Sequence, residues 1–413
     1  MLPKPKKIQT VYLDHAAATP VDKTVFSAMK PFFSEQYGNP SSLHTLGQTA
    51  DKVLSDCRAR VAKCLGTLSE NIIFTSSGTE SDNLAIYGIA KSSQAKGHII
   101  STAIEHDAVL GPLKQLQNWA CLPAGRQSLP DRQGWEITYI QPDRNGLLRS
   151  EDVIQAIRPD TILVSVMYAN NEIGTIAPIA EIGRKILQYR KQNNSMYPFF
   201  HTDACQAAGY LDLSVDKLHV DLMTINSSKI YGPKGAAMLY VRNGVPLKPI
   251  LVGGGQEKKL RSGTEDLPGI VGFTKALELA QKNKDKESKR VQNLTTYFLT
   301  ALKKVVPDIS LNGPEIGEDR LCNNLNINFS GLEAEALLLY LNEYGVMCSV
   351  GSACSSKTLE TSHVLRALGL SYQAAQGSIR FSFGKSNSKN QIDYIMKYLP
   401  KIVEQLREVH KIK

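Results

Sequence analysis

Phe74-Thr-Ser-Ser-Gly-Thr-Glu-Ser-Asp-Asn83 carries a short apolar run, Ile72–Thr75, through a turn of small polar residues into an amphipathic run, Glu80–Lys91. Within a few residues the chain changes from a strand pattern to a helical one. Working outward, the same alternation recurs from residue 49 to about 240. Strand-like runs fall at His98–Ser101, Ile137–Ile140, Thr161–Ala169, Phe199–Thr202, Leu222–Ile225 and Ala237–Val241, with a further amphipathic segment at Ile179–Gln192. This rhythm predicts an α/β layer built on a mostly parallel sheet. Past Gly253-Gly-Gly255 the texture changes. A long charged helix from Ile270 to about Val305 precedes Leu325–Phe329, a helix at Glu333–Tyr344, and strand-like runs at Gly345–Ser349 and Ile379–Phe383. A smaller α+β domain is expected there, with the boundary near 255–270. Cys121–Gln133 has two prolines, a glycine and no periodicity, and is expected to be a surface insertion. The sequence shows no internal repeats.

The bulk properties agree with a globular protein of two or three domains. The chain has 413 residues, 42% hydrophobic and 21% charged, which excludes wholesale disorder. No run of eighteen apolar residues is present, and the N-terminal segment lacks the apolar stretch of a signal peptide, so neither a membrane span nor secretion is expected. The net charge is +9, but the basic residues cluster only at Lys4–Lys7, Lys282–Arg290 and Lys411–Lys413. Solvated faces and anionic small ligands account for that pattern better than nucleic acid does.

Seven cysteines, an odd number with no CxxC pair, point to free thiols in a reducing, cytoplasmic setting. Cys57 and Cys64 share a helical stripe with Ala50, Val53, Leu54, Val61 and Leu65, so both are expected in a core; Cys348 closes an apolar run and looks structural. Cys354 differs. It lies in Ser349-Val-Gly-Ser-Ala-Cys-Ser-Ser-Lys357, a small, polar segment that suits a nucleophile meeting a partner, though an inert exposed thiol fits the segment as well.

Five further features carry chemistry. In Ile225-Asn-Ser-Ser-Lys-Ile-Tyr-Gly-Pro-Lys-Gly235, Lys229 stands at a strand end between hydroxyls and a Gly-Pro corner. A lysine so enclosed serves as a Schiff-base amine; left on the surface it is an ordinary loop lysine. Phe199-Phe-His-Thr-Asp-Ala-Cys-Gln206 ends an apolar strand on Asp203, an acid that is costly there unless paired. A protonated pyridine nitrogen is a suitable partner. Gly78 and Thr79 can offer backbone N–H groups and a hydroxyl to a phosphate, although helix caps use the same residue types. His106, in Ile104-Glu-His-Asp107, can stack on a flat cofactor and shuttle protons, or cap a loop. Arg380, in Gly377-Ser-Ile-Arg-Phe-Ser-Phe383, is on a strand, where an arginine calls for an anion such as a substrate carboxylate. Together these features describe one site at strand ends.

With these motifs in view, the sequence resembles the cysteine desulfurases of the housekeeping and nitrogen-fixation group. These are pyridoxal-phosphate enzymes of fold type I, the aspartate-aminotransferase fold. The likeness runs from Tyr12-Leu-Asp-His-Ala-Ala-Ala-Thr-Pro20 to about Leu399. It includes Tyr37-Gly-Asn-Pro-Ser41, Ser77-Gly-Thr-Glu-Ser-Asp-Asn83, Asn170-Asn-Glu-Ile-Gly174, Lys229–Gly235, Arg261-Ser-Gly-Thr264 and, most specifically, Gly351-Ser-Ala-Cys354. The resemblance implies a large cofactor-binding domain over 15–262. Residues 1–14 and 263–413 would make a small domain that carries the cysteine loop. By position it makes Lys229 the Schiff-base lysine, Asp203 the partner of the pyridine nitrogen, Gln206 a contact of the phenolic oxygen and His106 the stacking ring. Gly78, Thr79, Ser228 and Thr264 would hold phosphate, Thr264 from the other subunit of a homodimer. Asn171, Arg380 and Asn39 would hold the substrate, and Cys354 would receive sulfur as a persulfide.

The implied reaction converts L-cysteine to L-alanine and passes sulfur to an acceptor protein, such as an iron–sulfur cluster scaffold, or toward tRNA thiolation. The implied partners include no nucleic acid contacted directly and no membrane. Selenocysteine lyase, or another lyase or aminotransferase reaction, fits the same fold, as does a non-catalytic binding module. The chain departs from the family where a Ser-x-His precedes the lysine; Asn226, Ser227 and Ser228 stand there instead.

Overall fold

In the computed structural model, which describes residues 7–93, 97–118, 134–350 and 361–411, thirteen strands form three sheets. They are β1 (Val11–Tyr12), β2 (Ile72–Thr75), β3 (His98–Thr102), β4 (Glu136–Ile140), β5 (Thr161–Ser165), β6 (Phe199–Asp203) and β7 (Leu222–Asn226), then β8 (Ala237–Val241), β9 (Ile309–Asn312), β10 (Asn324–Phe329), β11 (Val346–Met347), β12 (Ser349–Val350) and β13 (Ser378–Ser382). The central sheet has seven strands in the order β2-β8-β7-β6-β5-β3-β4. Every neighbouring pair is parallel except the two that involve β8, which is antiparallel to both β2 and β7. β2, β3, β5, β6 and β8 are buried along their whole length. Such strands lack polar/apolar alternation because helices cover both faces of the sheet.

The helix Gly78–Ser92 starts where the opening motif predicts it. Ser77 Oγ accepts from Glu80 N at 3.1 Å, and Glu80 Oε2 accepts from Ser76 N at 2.8 Å, so the two side chains serve donors that the first helical turn cannot. Ile179–Gln192 has the expected bounds. The long helix begins at Leu267, three residues earlier than the periodicity indicates, because Asp266 accepts from Gly269 N and fixes the first turn. Its 39 residues span about 58 Å. Ile270, Phe273 and Leu277 pack into the larger core, whereas Val291, Phe298 and Leu302 pack into a second one with Val11, Leu13, Ile327, Phe381 and Leu399. A single rigid rod therefore links two cores.

The second core lies against the four-stranded antiparallel sheet β12-β13-β10-β9. Two strand expectations need correcting. Gly345–Ser349 is divided: β11 pairs in parallel with β1, β12 pairs with β13, and Cys348 sits between them rather than closing one strand. Thr161–Ala169 ends as a strand at Ser165. Beyond it the chain still follows β6, through Val166 N to the His201 carbonyl and Tyr168 N to the Asp203 carbonyl. It then turns, with Asn170 N bonded to the Thr175 carbonyl. That turn brings Asn171 to the sheet's carboxyl edge. Cys57 is buried and Cys64 half-buried, both against the larger core. Among the described residues no helix is long and apolar enough to cross a membrane.

Candidate active site

The carboxyl ends of β2, β3, β5, β6 and β7 converge on a cavity of about 310 Å³, within the range of small-molecule sites. Lys229 reaches it from the connection between β7 and β8. Because β8 runs antiparallel to β7, this connection is a short turn rather than a helical crossover. Asn226 Oδ1 accepts from Ser228 N at 2.8 Å and closes the turn. The N-terminal segment holds it from outside: Thr19 N and Oγ1 both donate to the Ser228 carbonyl at 2.9 Å. Thr19 Oγ1 in turn accepts from Tyr231 N at 2.8 Å, fixing Tyr231 at a left-handed φ of 66°. Lys229 Nζ donates to the Ala17 carbonyl, and Gln206 Nε2 donates to the Ala16 carbonyl at 3.0 Å. The motif at residues 12–20 is thus a strap that positions two cavity side chains.

Asp203 is the last residue of β6 and lines the cavity; its Oδ1 accepts from Cys205 N at 2.9 Å. Gly78 and Thr79 present the start of a fifteen-residue helix to the same space. A Cβ on Gly78 would lie 2.9 Å from Cys205 Sγ and 3.5 Å from Asn226 Nδ2. Glycine therefore leaves the helix end bare and the Asn226 amide beside it. Exposed N–H groups at a helix N-terminus suit a phosphate. His106 Nδ1 accepts from Ala108 N at 3.0 Å, which leaves the proton of the neutral ring on Nε2.

Arg380, 2% exposed, enters from β13. Its Nη2 pairs with Asp14 Oδ1 at 2.8 Å and its Nη1 donates to the Asn171 carbonyl at 2.9 Å, while Nε has no partner. Of five N–H groups, the ones left over can take a carboxylate. Asn171 lines the cavity next to it. The acid–amine–helix-end–guanidinium set fits a phosphorylated pyridine aldehyde and an amino-acid carboxylate. Lys229 can bind the aldehyde, Asp203 can hold a protonated ring nitrogen, the Gly78 end can hold the phosphate, and the unpartnered Arg380 Nε is left for an anion.

Lys229, Asp203, Gln206, Gly78, Thr79, His106, Asn171 and Arg380 thus share one cavity. Three other candidates lie outside it within this chain. Ser228 is absent from the lining, and Asn226 takes the place beside Gly78. Thr264 lines a smaller cavity with Ser76 and Arg261. Asn39 is exposed, and its Oδ1 accepts from Ser41 N at 2.9 Å. Cys354 and the insertion at 121–133 lie outside the described residues.

Four lining acids and rings escape the motif reading: Asp82, Glu105, Glu172 and His363. Burial pushes the Asp82 carboxyl well up, and Asp203 beside it adds to the effect. Burial likewise raises Glu105 to about 8 and raises Glu172. Below them His201 is driven down to about 4 by burial and stays neutral, its Nδ1 bonded to Ser165 Oγ at 2.9 Å. The available signal was an acid on the apolar face of a helix at Asp82, and one directly after apolar Ile104 at Glu105.

The Aminotransferase class-V family model matches residues 11–395. Cysteine desulfurase IscS of Dictyoglomus turgidum is 44% identical over 404 residues, 98% of this chain and 97% of that protein. A solved NifS-like protein superposes with a TM-score of 0.86 at 35% identity, covering 96% of this chain and all of its own. SspA, solved in complex with cysteine, gives 0.76 at 34% identity, covering 91% of this chain and 99% of its own. Matched almost end to end in sequence and fold, this chain belongs to the class-V aminotransferase family, among the cysteine desulfurases.

Proposed function

We propose that this chain is a pyridoxal-phosphate-dependent cysteine desulfurase that converts L-cysteine to L-alanine and takes the sulfur onto Cys354. The observation that carries this reading is the placement of Lys229, Asp203, the Gly78–Thr79 helix end and Arg380 around one cavity. In this reading residues 15–262 make up the cofactor domain, while residues 1–14 and 263–413 carry the cysteine loop. When bound, the cofactor supplies an electron sink that makes the α-proton of the amino acid acidic and the substrate sulfur open to attack.

The chain's own residues do the rest. Lys229 Nζ would tether the cofactor and then accept the substrate's α-proton. Asp203 would hold a protonated ring nitrogen, Gln206 would contact the phenolic oxygen, and His106 would stack on the ring. The Gly78–Thr79 end, with Asn226 in the place expected for Ser228, would hold phosphate, and Thr264 would come from a partner copy. Arg380, held by Asp14, would receive the substrate carboxylate with Asn171. The Cys354 thiolate would attack the substrate sulfur: an S–S bond forms as the carbon–sulfur bond breaks, its electron pair stays with the β-carbon, which takes a proton, and Lys229 returns the α-proton so that alanine leaves. His106 Nε2 would manage the thiol proton.

A homodimer is part of this reading. Phe26, Phe33, Tyr37, Leu43 and Leu46 are exposed, Leu43 by 91%, as expected of a surface covered by a second copy. The persulfide would pass to an acceptor protein such as an iron–sulfur cluster scaffold. We place the enzyme in the cytoplasm, where Cys354 stays reduced. The test is to incubate the loaded protein with L-cysteine and a thiol and to measure alanine and sulfide. Equimolar products from wild type and none from Cys354→Ala are expected; no product from wild type, or unchanged turnover in the variant, refutes the proposal.

A further inference from the structure

The chain on either side of Cys354 is fastened to the groups that hold Arg380 and Asn171. Five residues before it, Ser349 lies opposite Arg380 in the β12–β13 register. Eight residues after it, Ser362 Oγ donates to Glu172 Oε2 at 2.5 Å and also caps the helix His363–Ala367, accepting from Leu365 N at 3.2 Å. His363 Nε2 bonds the Glu105 carbonyl at 2.9 Å. Beneath these contacts, Val364, Leu365 and Leu368 form a separate apolar cluster with Ile104, Met167 and Ile173, the sequence neighbours of the cavity loops.

Glu172 sits at the centre of this arrangement. It is 3% exposed and lines the cavity, and an acid so placed is costly unless bonded. Its backbone carbonyl accepts from Asn326 Nδ2 at 3.2 Å, and the adjacent Asn171 carbonyl accepts from Arg380 Nη1 at 2.9 Å and Asn324 Nδ2 at 3.1 Å. The loop is therefore held by β10 and β13, and the Glu172 side chain bonds Ser362. Nothing in the proposed chemistry uses the Glu172 carboxyl.

We infer that Glu172, through its hydrogen bond to Ser362, is a positioning residue for sulfur transfer: it fixes Ser362, where the chain returns from Cys354, beside the site of the substrate carboxylate. The inference rests on the desulfurase reading above. Fixing the anchor from which a reacting group is presented can raise its effective concentration without touching the group itself.

The test uses the cofactor-loaded enzyme and the variants Ser362→Ala, Glu172→Ala and Glu172→Gln. Three measurements separate the steps: the L-cysteine dependence of the cofactor's visible absorbance, single-turnover alanine with labelling of the Cys354 persulfide, and amide hydrogen exchange over 363–367. In both alanine variants, half-saturation by L-cysteine is expected to stay within about twofold and alanine release to fall about tenfold, as for a lost buried hydrogen bond. Exchange over 363–367 should quicken in both. Glu172→Gln keeps the acceptor oxygen and is expected within about threefold of wild type. Wild-type rates in Ser362→Ala, a glutamine variant as impaired as alanine, or loss of the absorbance response together with alanine release would each overturn the inference. If Glu172→Ala does not fold, Ser362→Ala decides alone. Wild type yielding no alanine at all overturns the desulfurase reading, and this inference with it.

Discussion

Replacing Glu105 by glutamine should flatten the pH dependence of stability. The side chain is 1% exposed; Oε1 accepts from Thr102 Oγ1 at 2.8 Å and Met167 N at 2.9 Å, and Oε2 has no partner. Burial outweighs these two bonds, the charge of Asp203 adds to it, and the carboxyl is pushed up from 4.5 to about 8. The folded protein thus keeps a proton that the unfolded chain releases above pH 4.5. The stabilisation this brings is complete below pH 4.5, declines by about 1.4 kcal/mol per pH unit as pH rises, and is gone above about pH 8. Over the whole interval the loss is about 5 kcal/mol. Glutamine keeps the Oε1 acceptor, matches the protonated acid in shape and cannot ionise. Urea unfolding of both proteins at one concentration, at pH 6 and pH 9, isolates this group because all other titrations cancel in the difference. Between those two values the variant should gain about 3 kcal/mol on wild type. A difference that stays constant from pH 6 to pH 9 would refute the assignment of a proton to Glu105.

Other expectations follow from particular contacts. Arg380→Lys loses the fork that serves Asp14, Asn171 and the carboxylate together, and should raise half-saturation by L-cysteine about 10- to 100-fold while the cofactor's own absorbance persists. Glu257 takes both Arg58 Nη atoms, at 2.8 and 2.6 Å, and Phe74 N at 2.8 Å, all buried or nearly so. Glu257→Ala should therefore cost about 3–5 kcal/mol in urea unfolding. Phe298 is fully buried edge-on to Phe381, with ring centroids 5.2 Å apart. Phe298→Ala should cost about 3–5 kcal/mol, read as a lower urea midpoint.

How far the sequence alone reaches depends on how local each interaction is. Strand runs such as Ile72–Thr75 and Ala237–Val241, and the helix Ile179–Gln192, match their predicted bounds, because apolar period and capping are properties of neighbouring residues. The split of Gly345–Ser349 was not legible: which sheet each half joins depends on β1 and β13, far away in the chain. The same holds for the site. Lys229, Asp203, His106 and Arg380 stand out as reactive types in unusual local settings. Asp82, Glu105 and Glu172 do not, since their perturbation comes from burial among distant elements.

The sequence by itself determined the alternation of strand and helix, the strand-to-helix turn at Phe74–Asn83, and the residue types able to hold an aldehyde, a phosphate and a carboxylate. Only the tertiary structure decided which of them meet. It brought Lys229 and Asp203 to one edge of the sheet, put Asn226 rather than Ser228 beside Gly78, and left Thr264 and Asn39 outside the cavity of their own chain. It also turned Glu172 from an unremarked acid into the group that bonds Ser362. Propensity and pattern act over a few residues, whereas desolvation and pairing depend on which strands lie side by side.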